Sequence, residues 1–416
     1  MNDLYSFEKT ENYEVVNNFA ENHGGSVYQT SMWASVKSAW KPYYYIGYEN
    51  ETVVLSCLCL ERNIPVAGKL WYCPDGFVCD YKNAELIKEF SYFIKKEMKK
   101  YGVFALACDP LIVKRINGEI AENFNESLSV FSAAGFKVDG VENFYTVQPS
   151  TTINVLLTEN GEKLSEDKLL KKCEKGVRHG VKLGKDGGIK CESYTIEDVD
   201  RNPQIADEFF SVMTETSDRV SFIQRDKNYY INMLRSLGKY GVMDMLYYDI
   251  RGEKVRAESG NMTEKELERF NNAIKELESA GISSDSEKIY VACGLTSYFG
   301  KTSICLYGGT RNVLRNTFRP THLLNWIRIC RSLERDCAVH DMGRITGDAY
   351  DENNPLYGLC RYKQSYAGTV TEYCGDLYLI NNGFGFVLFT KGLPFAKKIK
   401  NTLLKKIIKK RTVERT

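Results

Sequence analysis

Histidine is scarce in this 416-residue chain, and paired metal ligands are absent. Its four histidines, His23, His179, His322 and His340, are nowhere set at metal-ligand spacing, and none of its 13 scattered cysteines forms a C-x-x-C pair. Structural zinc and dithiol redox sites depend on such pairs, so neither is expected, and any chemistry is read as needing no metal and no cofactor. Most cysteines fall in apolar, strand-like runs, as Cys57, Cys59, Cys108 and Cys305 do, and are expected to be reduced core residues. Long apolar runs are missing too: no window approaches the ~18 uninterrupted residues of a membrane span. The start, with Asn2, Asp3, Glu8 and Glu11, lacks the basic-then-apolar order of a signal peptide. The expected location is the cytosol.

What is present is ordinary globular composition, 43% apolar and 26% charged, in a length that suggests two or three domains at about 150 residues each. Charge is spread unevenly. Residues 391–416 hold ten Lys/Arg against one acid, so that segment carries +9 while the rest of the chain is net acidic within an overall +2. In it Phe395, Ile399, Leu403, Leu404, Ile407 and Ile408 recur at helical spacing between the lysines. Two readings stay open: a helix over 395–411 lying on an anionic membrane surface, or a C-terminal helix docking its apolar stripe on the protein.

The chain repeats a pattern. Leu70-Trp-Tyr-Cys-Pro-Asp-Gly-Phe leads into a helix with Leu86, Phe90, Phe93, Ile94 and Met98 on one face, then a strand Val103–Cys108 closed by Asp109. Late in the chain, Cys305-Leu-Tyr-Gly-Gly-Thr precedes a helix bearing Leu323, Trp326, Ile327, Cys330 and Leu333, then a strand Cys337–His340 closed by Asp341. Tyr72 to Asp109 spans 37 residues and Tyr307 to Asp341 spans 34, which indicates two copies of one α/β domain rather than a short-period solenoid. Between them runs a basic helical stretch with Lys168, Lys171, Lys172, Lys175, Arg178, His179, Lys182 and Lys185; such runs are often no more than solvated faces. Thr263-Glu-Lys-Glu266 is a capping box opening a helix with Leu267, Phe270, Ile274 and Leu277, and Ser284-x-x-Glu287 is a second box after Gly281. Together they predict a short antiparallel helical hairpin inserted at 262–287.

The run Tyr28-Gln-Thr-Ser-Met-Trp33-Ala-Ser-Val-Lys37, followed by Trp40, resembles the opening signature of the FemABX family, the peptidyltransferases of bacterial cell-wall bridge synthesis. Four further landmarks follow in that family's order: Tyr72-Cys-Pro-Asp-Gly-Phe, Cys108-Asp109-Pro110, Tyr307-Gly-Gly-Thr310, and Gly358-Leu-Cys-Arg-Tyr362-Lys363-Gln-Ser-Tyr-Ala-Gly368. The likeness runs from about Gln29 to Asp376 and implies a fold class of α/β (α+β) type. Two acetyltransferase-like (GNAT) domains stand in tandem: 1–148 with 375–416, including the basic C-terminal helix, and 149–374, with the hairpin as a shortened version of a helical arm.

The reaction implied is transfer of an amino acid from aminoacyl-tRNA to an amine of the peptidoglycan precursor's stem peptide, the precursor being lipid-linked or nucleotide-linked. Such an enzyme aligns two anionic substrates, removes a proton from the attacking ammonium and stabilises an oxyanion. Lys363 matches the lysine of the family's F-K-x-x-F-G-G element and is the candidate for the oxyanion, with Tyr362 and Tyr366 in place of its two aromatics. Lys37 and Arg219, the latter in Met213-x-x-Thr216-x-x-Arg219, match positions that hold the precursor's diphosphate. Trp33, Tyr307 and Tyr362 are further substrate-binding candidates. Asp109, after a buried strand, is the candidate base, with capping of the next turn as the structural alternative. Asp341 occupies the equivalent place, where the family shows Tyr-Asp and this chain has His340-Asp341. The family's Pro-Arg-Gly-Pro turn is here Pro74-Asp75-Gly76-Phe77, so an arginine is replaced by an acid. For the tRNA the resemblance points to no residue; the basic face with Lys171, Lys172, Lys175, Arg178 and Lys182 is the candidate, and the tail is its competitor. The tail's other role would be peripheral contact with the inner face of the cell membrane. The rival readings are a CoA-dependent acetyltransferase, which needs a Q/R-x-x-G-x-G/A turn absent here, and a non-catalytic RNA- or membrane-binding homologue.

Overall fold

The computed structural model describes residues 4–138, 148–220 and 223–392. The basic tail at 395–411 lies outside them. The chain divides into two compact units, one of residues 1–150 with 372–416 and one of 151–371.

In the first unit, strands Tyr5–Thr10, Lys41–Glu49, Thr52–Ile64 and Gly68–Cys73 form an antiparallel meander. Next to it Val103–Cys108 lies parallel to Gly68–Cys73, and Leu377–Ile380 and then Phe136–Lys137 complete the sheet. A parallel neighbour requires a crossover, which is the helix Ala84–Tyr101. Asn83 caps it, its side chain accepting from the Leu86 amide at 3.0 Å, and Gly102 at φ 69° ends it. Leu86, Ile87, Phe90, Ile94 and Met98 are buried against the sheet, at about 1.5–3 kcal/mol each relative to exposure. Cys57, Cys59, Cys73 and Cys108 pack in the same core as free thiols.

The second unit repeats this plan. Strands Ile189–Tyr194, Gly241–Tyr248, Ile289–Phe299 and Thr302–Thr310 run antiparallel; Val339–Asp341 then lies parallel to Thr302–Thr310, followed by Thr151–Leu156 and Gly368–Tyr373. Its crossover helix is Pro320–Glu334. The fold is therefore α/β with two units of one plan, as the repeat predicts, and of the acetyltransferase-like kind that the resemblance implies. Among the described residues no helix is long and apolar enough to cross a membrane.

The inserted hairpin needs correcting. The Thr263 box does open a helix, Glu264–Ser279, with the Thr263 amide donating to Glu266 Oε2 at 2.8 Å and the Glu266 amide to Thr263 Oγ1 at 3.3 Å. The second box opens none: residues 284–287 are turn and bend just ahead of the strand from Ile289, and the Ser284 hydroxyl donates instead to Glu278 at 3.1 Å. The helix paired with Glu264–Ser279 is the preceding one, Ile250–Glu258, joined through Arg256 to Glu266 at 3.2 Å. Of the expected apolar seam only Leu277 is buried, and Leu267 is 40% exposed.

Candidate functional site

In the second unit the parallel strands Thr302–Thr310 and Val339–Asp341 pair over only three residues, Thr302 with Val339, Ser303 with His340 and Ile304 with Asp341. Beyond that point they part. Thr302–Thr310 stays paired on its other side with Ile289–Phe299, with a register shift at which Leu295 faces Tyr307 and Thr296 faces Cys305, so Leu306 is an extra residue. The bulge falls two residues past Ile304, the last residue of the strand that pairs with Val339–Asp341.

Lys363, in the last turn of helix Tyr357–Gln364, lies near the point where the two strands part and donates to the Gly343 carbonyl at 2.6 Å. Asp341 braces the same loop from below, accepting from the Gly343 amide at 2.7 Å and from the Thr152 hydroxyl. Burial lowers the Lys363 pKa from its ordinary value, and the neighbouring Asp341 carboxylate opposes that shift. Tyr362 and Tyr366 do more than preserve aromatic rings: their hydroxyls bond each other at 2.9 Å, Asn325 donates to Tyr362 at 3.1 Å, and His322 Nδ1 lies 2.9 Å from the Tyr366 hydroxyl. Tyr307 packs edge-on against Tyr230, ring centroids 4.9 Å apart.

Arg328 was not among the expected residues. It is 2% exposed, donates to the Tyr307 carbonyl at 2.6 Å, has Nη1 3.7 Å from the Cys305 thiol, and leaves its buried Nε without a hydrogen-bond partner. Its guanidinium lies over Gly294, where a Cβ would come within 1.5 Å of Nη2. Only glycine admits it. Beyond Arg328, the buried His340 ring has Nδ1 2.9 Å from both Ser303 and Ser332 hydroxyls and Nε2 3.3 Å from Cys305 Sγ. Burial first, and then Arg328, lowers the His340 pKa to about 3; burial and Arg319 lower that of His322 to about 4. Both rings are neutral near pH 7. The signal for this network was in the sequence: His322, Asn325, Arg328 and Ser332 form a polar stripe at spacings of 3, 3 and 4 beside the apolar face of their helix. Cys305, expected in the core, is only partly buried and belongs to this network.

Arg219 lies in the last turn of helix Gln204–Val220, at the outer end of Thr302–Thr310. It donates to the Thr310 carbonyl at 3.0 Å and to Asn312 Oδ1 at 2.7 Å. The Met213-x-x-Thr216-x-x-Arg219 spacing serves this contact. Thr216 accepts from the Thr310 amide at 2.7 Å and donates to its carbonyl at 3.0 Å, and Met213 packs over Gly309. Burial and a second cation, Arg315, lower the Arg219 pKa, so the locality is one where an anion would relieve repulsion.

In the first unit Lys37 follows helix Ser31–Val36, and its Nζ sits 4.8 Å from the centre of the Trp33 ring, so two expected residues adjoin. Gln29 of the same signature is fully buried and structural, accepting from the Leu58 amide at 2.9 Å and donating to the Pro74 carbonyl at 2.6 Å. Asp109 is buried, accepting from the Tyr72 hydroxyl at 2.9 Å and the Asp75 amide at 2.8 Å. Asp75, in place of the family's arginine, is itself buried, with φ 50°.

The basic stretch forms two helices, Glu166–Lys172 and Lys175–Asp186. Val177, Gly180, Val181 and Gly184 face inward, Gly180 close against His322, which leaves Lys171, Lys175, Arg178 and Lys182 on the exposed side. Arg178 is partly engaged, donating to the Lys171 and Cys173 carbonyls, and Lys172 pairs with Glu159.

Residues 12–251 and 249–390 match the model of the FemAB family. The chain belongs to the FemAB family. Similar FemAB relatives include the lipid II:glycine glycyltransferase of Staphylococcus epidermidis, 26% identical over 94% of this chain and 96% of that protein. The enzyme of the same name from Staphylococcus aureus is 24% identical over 94% and 97%. The crystal structure of FemX superposes with a TM-score of 0.74 at 22% identity, covering 92% of this chain and all of that one, and shares its fold. This FemAB protein is a transferase of the aminoacyl class. Within it Lys363 and the adjacent Tyr362 lie in the second unit near the parting strands, the Tyr307 ring packs on Tyr230, and Arg219 sits at the far end of Thr302–Thr310.

Proposed function

We propose that this FemAB protein moves an amino acid from aminoacyl-tRNA to an amine of the stem peptide of a lipid-linked peptidoglycan precursor, in interpeptide bridge synthesis. The observation that carries the reading is the Lys363 amine, anchored on the Gly343 carbonyl beside Asp341 where the strands part. The acceptor amine attacks the ester carbonyl carbon, the carbonyl oxygen becomes an oxyanion, and collapse expels the ribose hydroxyl as the amide forms. An ammonium has three donors and Gly343 takes one, so Lys363 keeps N–H groups for the oxyanion. Burial strengthens that interaction, and the buried Arg328 guanidinium, held on the Tyr307 carbonyl, adds positive potential within the same unit.

Lys37 and Arg219 take the precursor's phosphates, each already oriented by a neighbour, Trp33 and Thr310 respectively. Tyr307 and Tyr362, both partly exposed, offer aromatic surface to the substrates, whereas Trp33 is buried and serves by orienting Lys37. The exposed face with Lys171, Lys175 and Lys182 is the surface for the tRNA acceptor stem, which predicts weakening with salt. Asp109 is the candidate to receive the ammonium proton. Its two hydrogen bonds favour a second role, holding the Asp75 turn. Asp109→Asn separates the two, since loss of kcat at unchanged thermal midpoint indicates the base and a lowered midpoint the brace.

The reading is tested with purified protein, charged tRNA and lipid-linked precursor, following the mass of the stem peptide. A gain of one aminoacyl residue is expected. Transfer of an acetyl group from acetyl-CoA, or no transfer from any charged tRNA, would overturn it.

A further inference from the structure

Three large apolar side chains of the first unit stand in water close together. Val66 is 85% exposed, Phe384 74% and Val387 51%. Val66 is at the tip of the turn between Thr52–Ile64 and Gly68–Cys73, with φ 69°, a left-handed conformation in which a β-branched residue is unusual. Phe384 and Val387 lie on the outer side of helix Gly383–Val387, one turn apart. The turn and the helix touch. A Cβ at Gly385 would lie 2.9 Å from the Ala67 carbonyl, so Val66 and Phe384 each adjoin a residue of that contact. The inward rings of this segment are others: Phe386 packs on Tyr378 with centroids 5.3 Å apart, and Phe389 on Phe104 at 5.7 Å. Phe384 is therefore spare to the core. Lys137 flanks the patch, its Nζ 5.6 Å from the Phe386 ring centre, and the ten Lys/Arg of 391–416 begin four residues after Val387.

We propose that Val66, Phe384 and Val387 form a membrane-docking tip that enters the headgroup region of an anionic bilayer, Lys137 beside them and the lysines and arginines that follow in sequence supplying the charge that meets its surface. A bilayer is a partner that suits both an exposed apolar cluster and a cation-rich sequence that follows it directly in the chain. A nucleic acid would meet the cations and leave the three side chains in water. The proposal concerns the surface alone and stands whichever amino acid or acceptor the enzyme uses.

The test is co-sedimentation of the full-length protein with vesicles of phosphatidylglycerol and phosphatidylcholine, and of phosphatidylcholine alone, without substrates. Binding that rises with the phosphatidylglycerol fraction is expected. In the Val66→Ser, Phe384→Ser, Val387→Ser variant it should weaken at least ~10-fold, by the loss of two large aliphatic side chains and a ring from the bilayer. The thermal midpoint should not move, because all three side chains are exposed. Phe384→Trp should show blue-shifted emission on the anionic vesicles relative to the parent protein. Vesicle binding unchanged in the triple variant, no binding by the parent, no emission shift, or a matching loss of binding to a tRNA would each overturn the proposal.

Discussion

Replacing Lys363 by Met removes the cation while keeping an unbranched side chain of similar length, and so tests its charge more than its bulk. The bond lost is a single one of 2.6 Å to the Gly343 carbonyl, an effect on stability of about 1 kcal/mol. Relief of a partly desolvated charge offsets part of that, so the thermal midpoint should move little. Catalysis should respond differently. A preorganised donor to an oxyanion contributes about 2.7–4 kcal/mol, which corresponds to a fall in kcat of roughly 10²–10³. The pH profile gives an independent reading. Burial holds the Lys363 pKa below its ordinary 10.5, and only the protonated form serves the oxyanion, so activity should fall on the alkaline side as pH rises through that lowered pKa. Single-turnover transfer from charged tRNA, measured across pH in parent and Lys363→Met, contains both tests. A variant with kcat within about threefold of the parent and an unchanged alkaline limb would refute the assignment.

Gly294→Ala should destabilise the second unit by about 1–3 kcal/mol or more, read as a lowered urea midpoint, because its Cβ would fall 1.5 Å from Arg328 Nη2. Arg219→Gln should raise KM for the precursor roughly 10- to 100-fold with kcat little changed, the range expected for charge-assisted bonds to a phosphate. His340 and His322 are held neutral, with pKa values lowered to about 3 and about 4, so the unfolded chain takes up protons that the folded one refuses. Stability should therefore be fully present above pH ~6.5 and fall progressively as pH drops toward 4, and His340→Gln should reduce the slope by about one proton in urea titrations across that range.

Much of the fold was legible because its signals are local. The period of Leu86, Phe90, Ile94 and Met98 marks a helix with a buried face, and the recurring strand, helix, strand order marks a duplicated unit. The Thr263 box is equally local and opened a helix. The same pattern at Ser284 did not, because strand pairing from Ile289 onward claims the backbone that a helix would need. Lys363 and Arg219 were picked out by motif, and only the structure shows what each touches, the Gly343 carbonyl and the Thr310 carbonyl.

By itself, the sequence determined the two-copy α/β plan, the positions of the cationic candidates and the basic character of the tail, since these depend on residue type and spacing along the chain. Tertiary structure alone decided that Arg328 is buried over Gly294 with no carboxylate bonded to it among the described residues, that His340 is held neutral, and that Asp109 is bound to Tyr72 and Asp75. Those outcomes depend on what packs against a side chain from distant parts of the chain. Desolvation and hydrogen bonding are properties of that surrounding, and no local spacing encodes them.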